Sequence, residues 1–249
     1  MKNSNILYTR YIEMTRPLLI SIEGNIGAGK TTILKMISDM YSTSQDKIVF
    51  LKEPVELWYN IKDESGKTML ENFYENPKKN AFAFQIMACV TRTSIIKNAM
   101  KENKNCEIVL CERSIEADSK IFAKMLYDDG LMSKMEHSIY MLLYNENIAD
   151  YSVDGIIYIS TNPDKCHERV QKRNREGESN IEMDYLVKCD KYHMDWLLDD
   201  HIENNSHILE LDTSKDIDIL NPKQYQLWVN KISSFIDDVK KAKMEKEKI

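Results

Sequence analysis

Residues 24–31 read Gly-Asn-Ile-Gly-Ala-Gly-Lys-Thr, a complete GxxxxGK(S/T) loop in a chain with only 7 glycines among 249 residues. An apolar run, Pro17-Leu18-Leu19-Ile20-Ser21-Ile22, precedes it, and a helical pattern from Thr32 to Met40 follows. This order leaves the fold little freedom. A buried strand delivers the chain to a glycine turn and a helix begins at once. The loop N–H groups and the helix dipole then face the same anion. Gly24, Gly27 and Gly29 let the backbone wrap closely around phosphates, with Asn25, Ala28 and Thr32 completing the cradle. Lys30 is expected to reach the outer phosphates and Thr31 to set its hydroxyl on Mg²⁺. A glycine turn that merely caps a helix fits this context poorly.

Four more strand candidates follow: Lys47–Lys52, Glu107–Cys111, Gly155–Ile159 and His207–Leu211. The stretches Ile48–Leu51, Ile108–Cys111 and Ile156–Ile159 are continuously apolar rather than alternating, as strands covered on both faces of a parallel sheet are. Helical spans lie between and after them, at Asn80–Lys101, Glu116–Tyr127, Ser133–Asn147, Pro163–Arg175, Met183–Ile202 and Pro222–Lys243. The alternation predicts an α/β fold, a doubly wound, five-stranded parallel sheet flanked by helices. With no internal repeat and no Pro/Gly/Ser-rich linker, residues 17–249 read as a single domain. Residues 1–16 read as a flexible tail, and Lys240–Ile249 as a solvated, fraying helix end.

Composition narrows the function. The net charge is −6 and the basic residues form no long run, which argues against a surface for polymeric nucleic acid. The five cysteines, Cys89, Cys106, Cys111, Cys166 and Cys189, show no CxxC pairing, which fits a reducing compartment and neither a zinc site nor a disulfide framework. No apolar stretch approaches the length of a membrane span. Residues 1–16 lack the apolar core of a secretory signal, so a cytoplasmic protein is expected; an organelle transit peptide is the less favoured alternative.

In open parallel sheets, ligands bind beyond the carboxyl ends of the strands. Glu53-Pro54-Val55-Glu56-Leu57-Trp58 follows the second strand and Glu112-Arg113-Ser114 ends the third; an Arg-bearing helix follows the fourth. Glu112 stands where nucleotide-hydrolysing P-loop proteins carry the acid of the Mg²⁺ shell. Glu53 is a candidate general base for an attacking hydroxyl.

In order and spacing, from about Pro17 to Asp212, these elements resemble the deoxyribonucleoside kinase family. The phosphate loop, Glu53-Pro54-Val55 with Trp58, Phe84-Gln85 with Arg92, and Glu112-Arg113-Ser114 with Asp118 each match a family element. So does an arginine-rich lid, Arg169, Arg173 and Arg175, with Glu178 and Tyr185 downstream. The resemblance implies transfer of the γ-phosphate of ATP, or of another NTP, to the 5′-hydroxyl of a deoxyribonucleoside in DNA precursor salvage. It gives Glu53 the role of base and Arg113 that of its orienting partner. It makes Gln85 the reader of the base edge and Val55, Trp58, Phe73, Phe84 and Phe122 the pocket wall. It pairs Tyr74 with Glu178 on the sugar 3′-hydroxyl, and sets the three lid arginines on the donor phosphates. A homodimer is also implied.

Arg92 and Asp118 bear on the choice of base. In this family such a pair is typical of members acting on deoxycytidine or purine deoxynucleosides. Asp118 can accept from an exocyclic amino group, which cytosine and adenine have and thymine lacks. Deoxycytidine, deoxyadenosine and deoxyguanosine are the expected substrates, with a thymidine-preferring enzyme as the alternative. A nucleoside monophosphate kinase would need more cations for its acceptor phosphate. A non-catalytic nucleotide-binding subunit should have lost Lys30, Glu53 or Arg113, and all three are present.

Overall fold

Five strands form one all-parallel sheet in the order β2-β3-β1-β4-β5: β1 (Leu18–Gly24), β2 (Ile48–Leu51), β3 (Ile108–Glu112), β4 (Gly155–Ser160) and β5 (His207–Asp212). The computed structural model describes residues 16–42, 47–175, 177–178, 181–198, 207–214 and 222–246. β1 is the central strand and is buried along its whole length. Its Leu18 pairs with Ile108 of β3 and its Ile20 with Gly155 of β4. β2, at one edge, is only half-buried.

Alternation along β1 sorts the core into two layers. Leu18, Ile20 and Ile22 pack with helices α1 (Lys30–Tyr41), α8 (Pro163–Arg173) and α10 (Pro222–Lys246). Leu19 faces the other way, with Val109 and Ile156, toward α4 (Pro77–Glu102) and α9 (Met183–Leu197). A third apolar cluster lies over α2 (Val55–Tyr59), α3 (Met69–Glu75), α4, α6 (Lys124–Asp128) and α7 (Lys134–Tyr151). Between β3 and α6 come one turn of α-helix, α5 (Ile115–Ala117), and a π-helical turn, Asp118–Ala123.

All five strands lie where the sequence puts them, within one or two residues. The helices differ in detail. α2 and α3 were not anticipated; α3 starts at a capping box in which Thr68 and Glu71 satisfy each other's backbone N–H. The Glu116–Tyr127 span contains the π turn instead of being uniformly α-helical. The Pro163–Arg175 span stops at Arg173, because Asn174 turns left-handed (φ 47°) and caps the helix, so Arg175 lies beyond it. The described part of the Met183–Ile202 helix ends at Leu197; residues 199–202 lie outside the described residues, as do residues 1–15 of the expected tail and 247–249 at the other end. Two expectations about the chain ends are corrected at their inner margins. Arg16 is fastened to Asp154 (2.8 Å) and to the Ser152 carbonyl (3.1 Å). Lys243 of α10 approaches the same Asp154 (3.4 Å). Among the described residues no helix is long and apolar enough to cross a membrane.

Candidate active site

A cleft of about 650 Å³ opens beyond the carboxyl ends of β1, β2 and β3, with the phosphate loop and the residues after β2 and β3 on its walls. The loop is built as its glycines require. Gly27 (φ 84°) passes so close to α8 that a Cβ there would lie 2.4 Å from the Cys166 carbonyl oxygen. Gly29 (φ 101°) is the left-handed residue from which α1 starts. Lys30 is buried and donates to the carbonyls of Gly24 (3.2 Å) and Asn25 (2.9 Å). Burial and the nearby Arg113 guanidinium push its pKa down to about 8. Thr31 donates its hydroxyl to both oxygens of Glu112 (2.8 and 3.0 Å). Hydroxyl and carboxylate are hard oxygen ligands, and Mg²⁺ takes only one or two from protein, leaving the rest to phosphates and water. Among the described residues no group of three or more His, Cys, Asp or Glu gathers as a metal site.

The other loop residues divide. Gly27 and Lys30 line the cleft. Asn25 is turned inward, its amide donating to Leu186 O (2.8 Å), so its side chain braces the loop. Ala28 is buried, and Thr32 is exposed on α1.

Glu53 sits between two guanidiniums. Arg92 Nη2 (3.1 Å) and Arg113 Nε (3.3 Å) both meet its Oε1. Burial alone would raise the Glu53 carboxyl, but Arg113, Arg92 and Lys30 outweigh it and hold it at about 2. Arg113 adopts φ 65°, one of two non-glycine residues with positive φ among the described residues, and its guanidinium lies 4.7 Å from the Phe122 ring centre. Arg92 is completely enclosed. Besides Glu53 it meets Asp118 through Nε (2.9 Å) and Nη2 (3.2 Å), and Glu112 O through Nη1 (3.1 Å). These carboxylates raise its pKa against the opposing effect of burial.

The apolar wall is a stack of rings. Phe73 lies parallel to Phe84 (4.4 Å between centres, 10°), and Trp58 meets Phe84 edge-on at 5.6 Å. Trp58 Nε1 is anchored on Thr91 Oγ1 at 2.9 Å. Val55, Trp58, Phe84 and Phe122 line the cleft. Phe73 does not; it supports Phe84 from behind, a correction to its expected place in the wall. Gln85 also lines the cleft, and its Oε1 is buried without a hydrogen-bond partner, which leaves an acceptor for a ligand.

Tyr74 and Glu178 reach the cleft from α3 and from the segment after α8. Burial, with the Glu178 carboxylate adding to it, pushes the Tyr74 pKa well up. Glu178 is gripped by Arg173 and by Arg175 (3.2 Å). Of the three lid arginines, Arg173 and Arg175 line the cleft. Arg169 instead points to the carbonyls of Ala28 (3.3 Å) and Thr213 (3.0 Å), behind the phosphate loop. Ile26, Leu70 and Tyr185 also line the cleft. Sequence alone assigns Ile26 and Leu70 no role at the site, and names Tyr185 only as following the lid arginines. Leu70 had a legible signal in the Thr68–Glu71 capping box that starts its helix.

A parallel sheet with a phosphate loop after its central strand and an acid at the end of the next defines a P-loop nucleotide-binding protein. The chain matches the deoxynucleoside kinase family over residues 20–237. It is 33% identical over 243 residues to deoxycytidine kinase 1 of Xenopus laevis, covering 87% of this chain and 89% of that one. It is 32% identical over 195 residues to the mitochondrial deoxyguanosine kinase of the same species, covering 72% of each. It is 30% identical over 250 residues to deoxycytidine kinase of Homo sapiens, covering 90% of this chain and 93% of that one. The chain belongs to the deoxynucleoside kinase family: it is a kinase that passes a phosphoryl group from a nucleotide donor to a small-molecule nucleoside.

Proposed function

We propose that this kinase phosphorylates the 5′-hydroxyl of deoxycytidine, with deoxyadenosine and deoxyguanosine as further substrates, using ATP or another NTP and Mg²⁺. The observation that carries the choice of base is the enclosed Arg92–Asp118 pair beside the open acceptor of Gln85. Gln85 presents a carboxamide edge to the base, and Asp118 accepts from an exocyclic amino group. The bulk and charge of Arg92 oppose a thymine methyl. Tyr74 and Glu178 hold the sugar 3′-hydroxyl, and the Tyr74 ring crowds a ribose 2′-hydroxyl. The names of the relatives agree with this reading.

Glu53 accepts the proton of the 5′-hydroxyl as the oxygen attacks. Arg113 orients Glu53 and faces the transferring group. Lys30, Arg173 and Arg175 oppose the charge spread over the phosphoryl oxygens, the main demand of a loose transition state. Thr31 and Glu112 would hold Mg²⁺, which would supply further neutralisation of the donor phosphates. Arg169 supports donor binding through the loop carbonyl it grips. A homodimer fits the exposed apolar side chains Met135, Ile139 and Leu142 on one face of α7, next to α4. A cytoplasmic location fits five free cysteines.

The test is turnover on deoxycytidine, deoxyadenosine, deoxyguanosine, thymidine and cytidine with ATP and Mg²⁺, alongside Glu53→Gln. Activity on the first three, little on the last two, and a loss of roughly 10²–10⁴ in the variant are expected. Turnover mainly on thymidine would discard the role given to Arg92 and Asp118. An active Glu53→Gln would discard the base.

A further inference from the structure

Glu23 is a carboxylate inside an apolar strand, fully buried, one residue before the phosphate loop. The reaction as drawn does not use it. Burial pushes its pKa up, against the pull of the Arg113 guanidinium. Such a group is expensive to enclose and calls for a compensating contact. The contact it makes is specific: its Oε1 accepts the backbone N–H of Ser114 at 2.8 Å.

That N–H belongs to the residue after Arg113. The β1–β3 ladder pairs Ile22 with Glu112, and its last step is Arg113 N donating to Ile22 O at 3.1 Å. The chain then leaves the strand through a left-handed Arg113 (φ 65°). This conformation costs a side-chain-bearing residue roughly 1–2 kcal/mol and persists only where its surroundings enforce it. Ser114 is fully buried, so its N–H has no water to turn to, and its hydroxyl is already engaged in capping α5 at Ala117 N (3.1 Å). The Glu23 carboxyl is the acceptor that closes this turn.

We propose that Glu23 is a positioning residue: by holding Ser114 N–H it locks the left-handed Arg113 turn and so aims the Arg113 guanidinium at Glu53. The inference rests on the catalytic role given to Arg113 above. It also means that one carboxyl, next to the first residue of the phosphate loop, sets the geometry between donor and base.

The role is one of length, so variants of Glu23 separate it from a role of charge. Glu23→Gln keeps an oxygen at the same reach. Glu23→Asp keeps the charge but withdraws the oxygen by about one C–C bond, ~1.5 Å. Steady-state kinetics with deoxycytidine and ATP on the full chain should find Glu23→Gln near wild type. Glu23→Asp and Glu23→Ala should lose kcat on the order of 10²-fold, as misplacements of this size do, with the KM for deoxycytidine little changed. In an Arg113→Ala background the same substitutions should add no further loss. If Glu23→Ala does not fold, the order of Gln over Asp still decides. Three results would overturn the proposal: Asp matching wild type, Gln as impaired as Asp, or a loss that persists undiminished in the Arg113→Ala background. Normal turnover by Arg113→Ala alone would remove the role of Arg113, a failure distinguishable from that of Glu23.

Discussion

The Arg92–Asp118 pair makes an asymmetric demand on stability, and the asymmetry can be worked from its contacts. Both side chains are almost completely enclosed, at 2% and 3% exposure. Arg92 has two further partners, Glu53 at 3.1 Å and the Glu112 carbonyl at 3.1 Å. The ion pairs and hydrogen bonds of Asp118 run to Arg92. Removing one member of a buried pair costs about 3–5 kcal/mol when it strands the other charge. Arg92→Met strands Asp118 and should lie in that range. Asp118→Ala leaves Arg92 with Glu53 and should cost less, about 2 kcal/mol. The double variant leaves neither charge of the pair without the other and should be less destabilised than the sum of the two by about 2–3 kcal/mol, within the range of coupling for residues in contact. Urea unfolding followed by tryptophan fluorescence, at one protein concentration, measures all three. Additive losses, or an Asp118→Ala loss larger than that of Arg92→Met, would refute the assignment of partners and weaken the base-reading argument built on it.

Other consequences are equally direct. Gly27→Ala places a Cβ 2.4 Å from the Cys166 carbonyl oxygen at a left-handed position; it should abolish ATP binding by calorimetry, and near-normal affinity would contradict the loop geometry. Lys30, lowered to about 8 by burial and Arg113, loses its proton in the free enzyme as pH rises through that value. So kcat/KM for ATP should fall above about pH 8, whereas kcat, measured with phosphates bound, should not fall there. Burial lowers His193 to about 3, so its contribution to stability is present above its ordinary 6.5 and is lost as pH falls toward 3. Burial raises Glu116 to about 7, so its contribution is full below 4.5 and is lost as pH rises through 7. Between pH 4.5 and 6.5 the two slopes oppose. His193→Gln should expose a fall in stability of about 2 kcal/mol with rising pH across that window, and Glu116→Gln the reverse; parallel curves would show that neither group is sealed as described.

The sheet was legible because three of its strands are written as unbroken apolar runs, and the phosphate loop because glycine is scarce here and lysine and threonine stand at the required offsets. The positions of Glu53 and Glu112 followed from the rule that ligands gather beyond strand ends. What escaped was geometry that composition does not encode. The π turn at Asp118–Ala123 fits one more residue into a turn than an α-helix does, and it carries both Asp118 and Phe122 to the cleft. Helical periodicity alone marks that stretch as uniform helix. Arg169 and Arg173 share a helix, yet Arg169 finds the Ala28 and Thr213 carbonyls behind the loop. Nothing in their spacing separates a cation facing the ligand from one bracing the loop that binds it. Glu23 falls one residue past the apolar run that marks the first strand, and its partner, a backbone N–H 91 residues away, belongs to tertiary structure.

A carboxylate held at about 2 is a feeble base, and in the proposed mechanism this suits Glu53. A loose phosphoryl transfer builds little bond to the nucleophile before the transition state, so the 5′-hydroxyl need not surrender its proton early. Glu53 needs chiefly to remain ionised and correctly aimed at working pH. Two guanidiniums on the same Oε1 secure both, at the expense of basicity. One of them is Arg92, whose Nη2 also touches Asp118. The group proposed to read the base and the group proposed to accept the proton are therefore joined through a single enclosed side chain. A nucleoside that displaces Arg92 from Asp118 disturbs Glu53 as well, so the penalty for a wrong base falls on turnover as well as on binding.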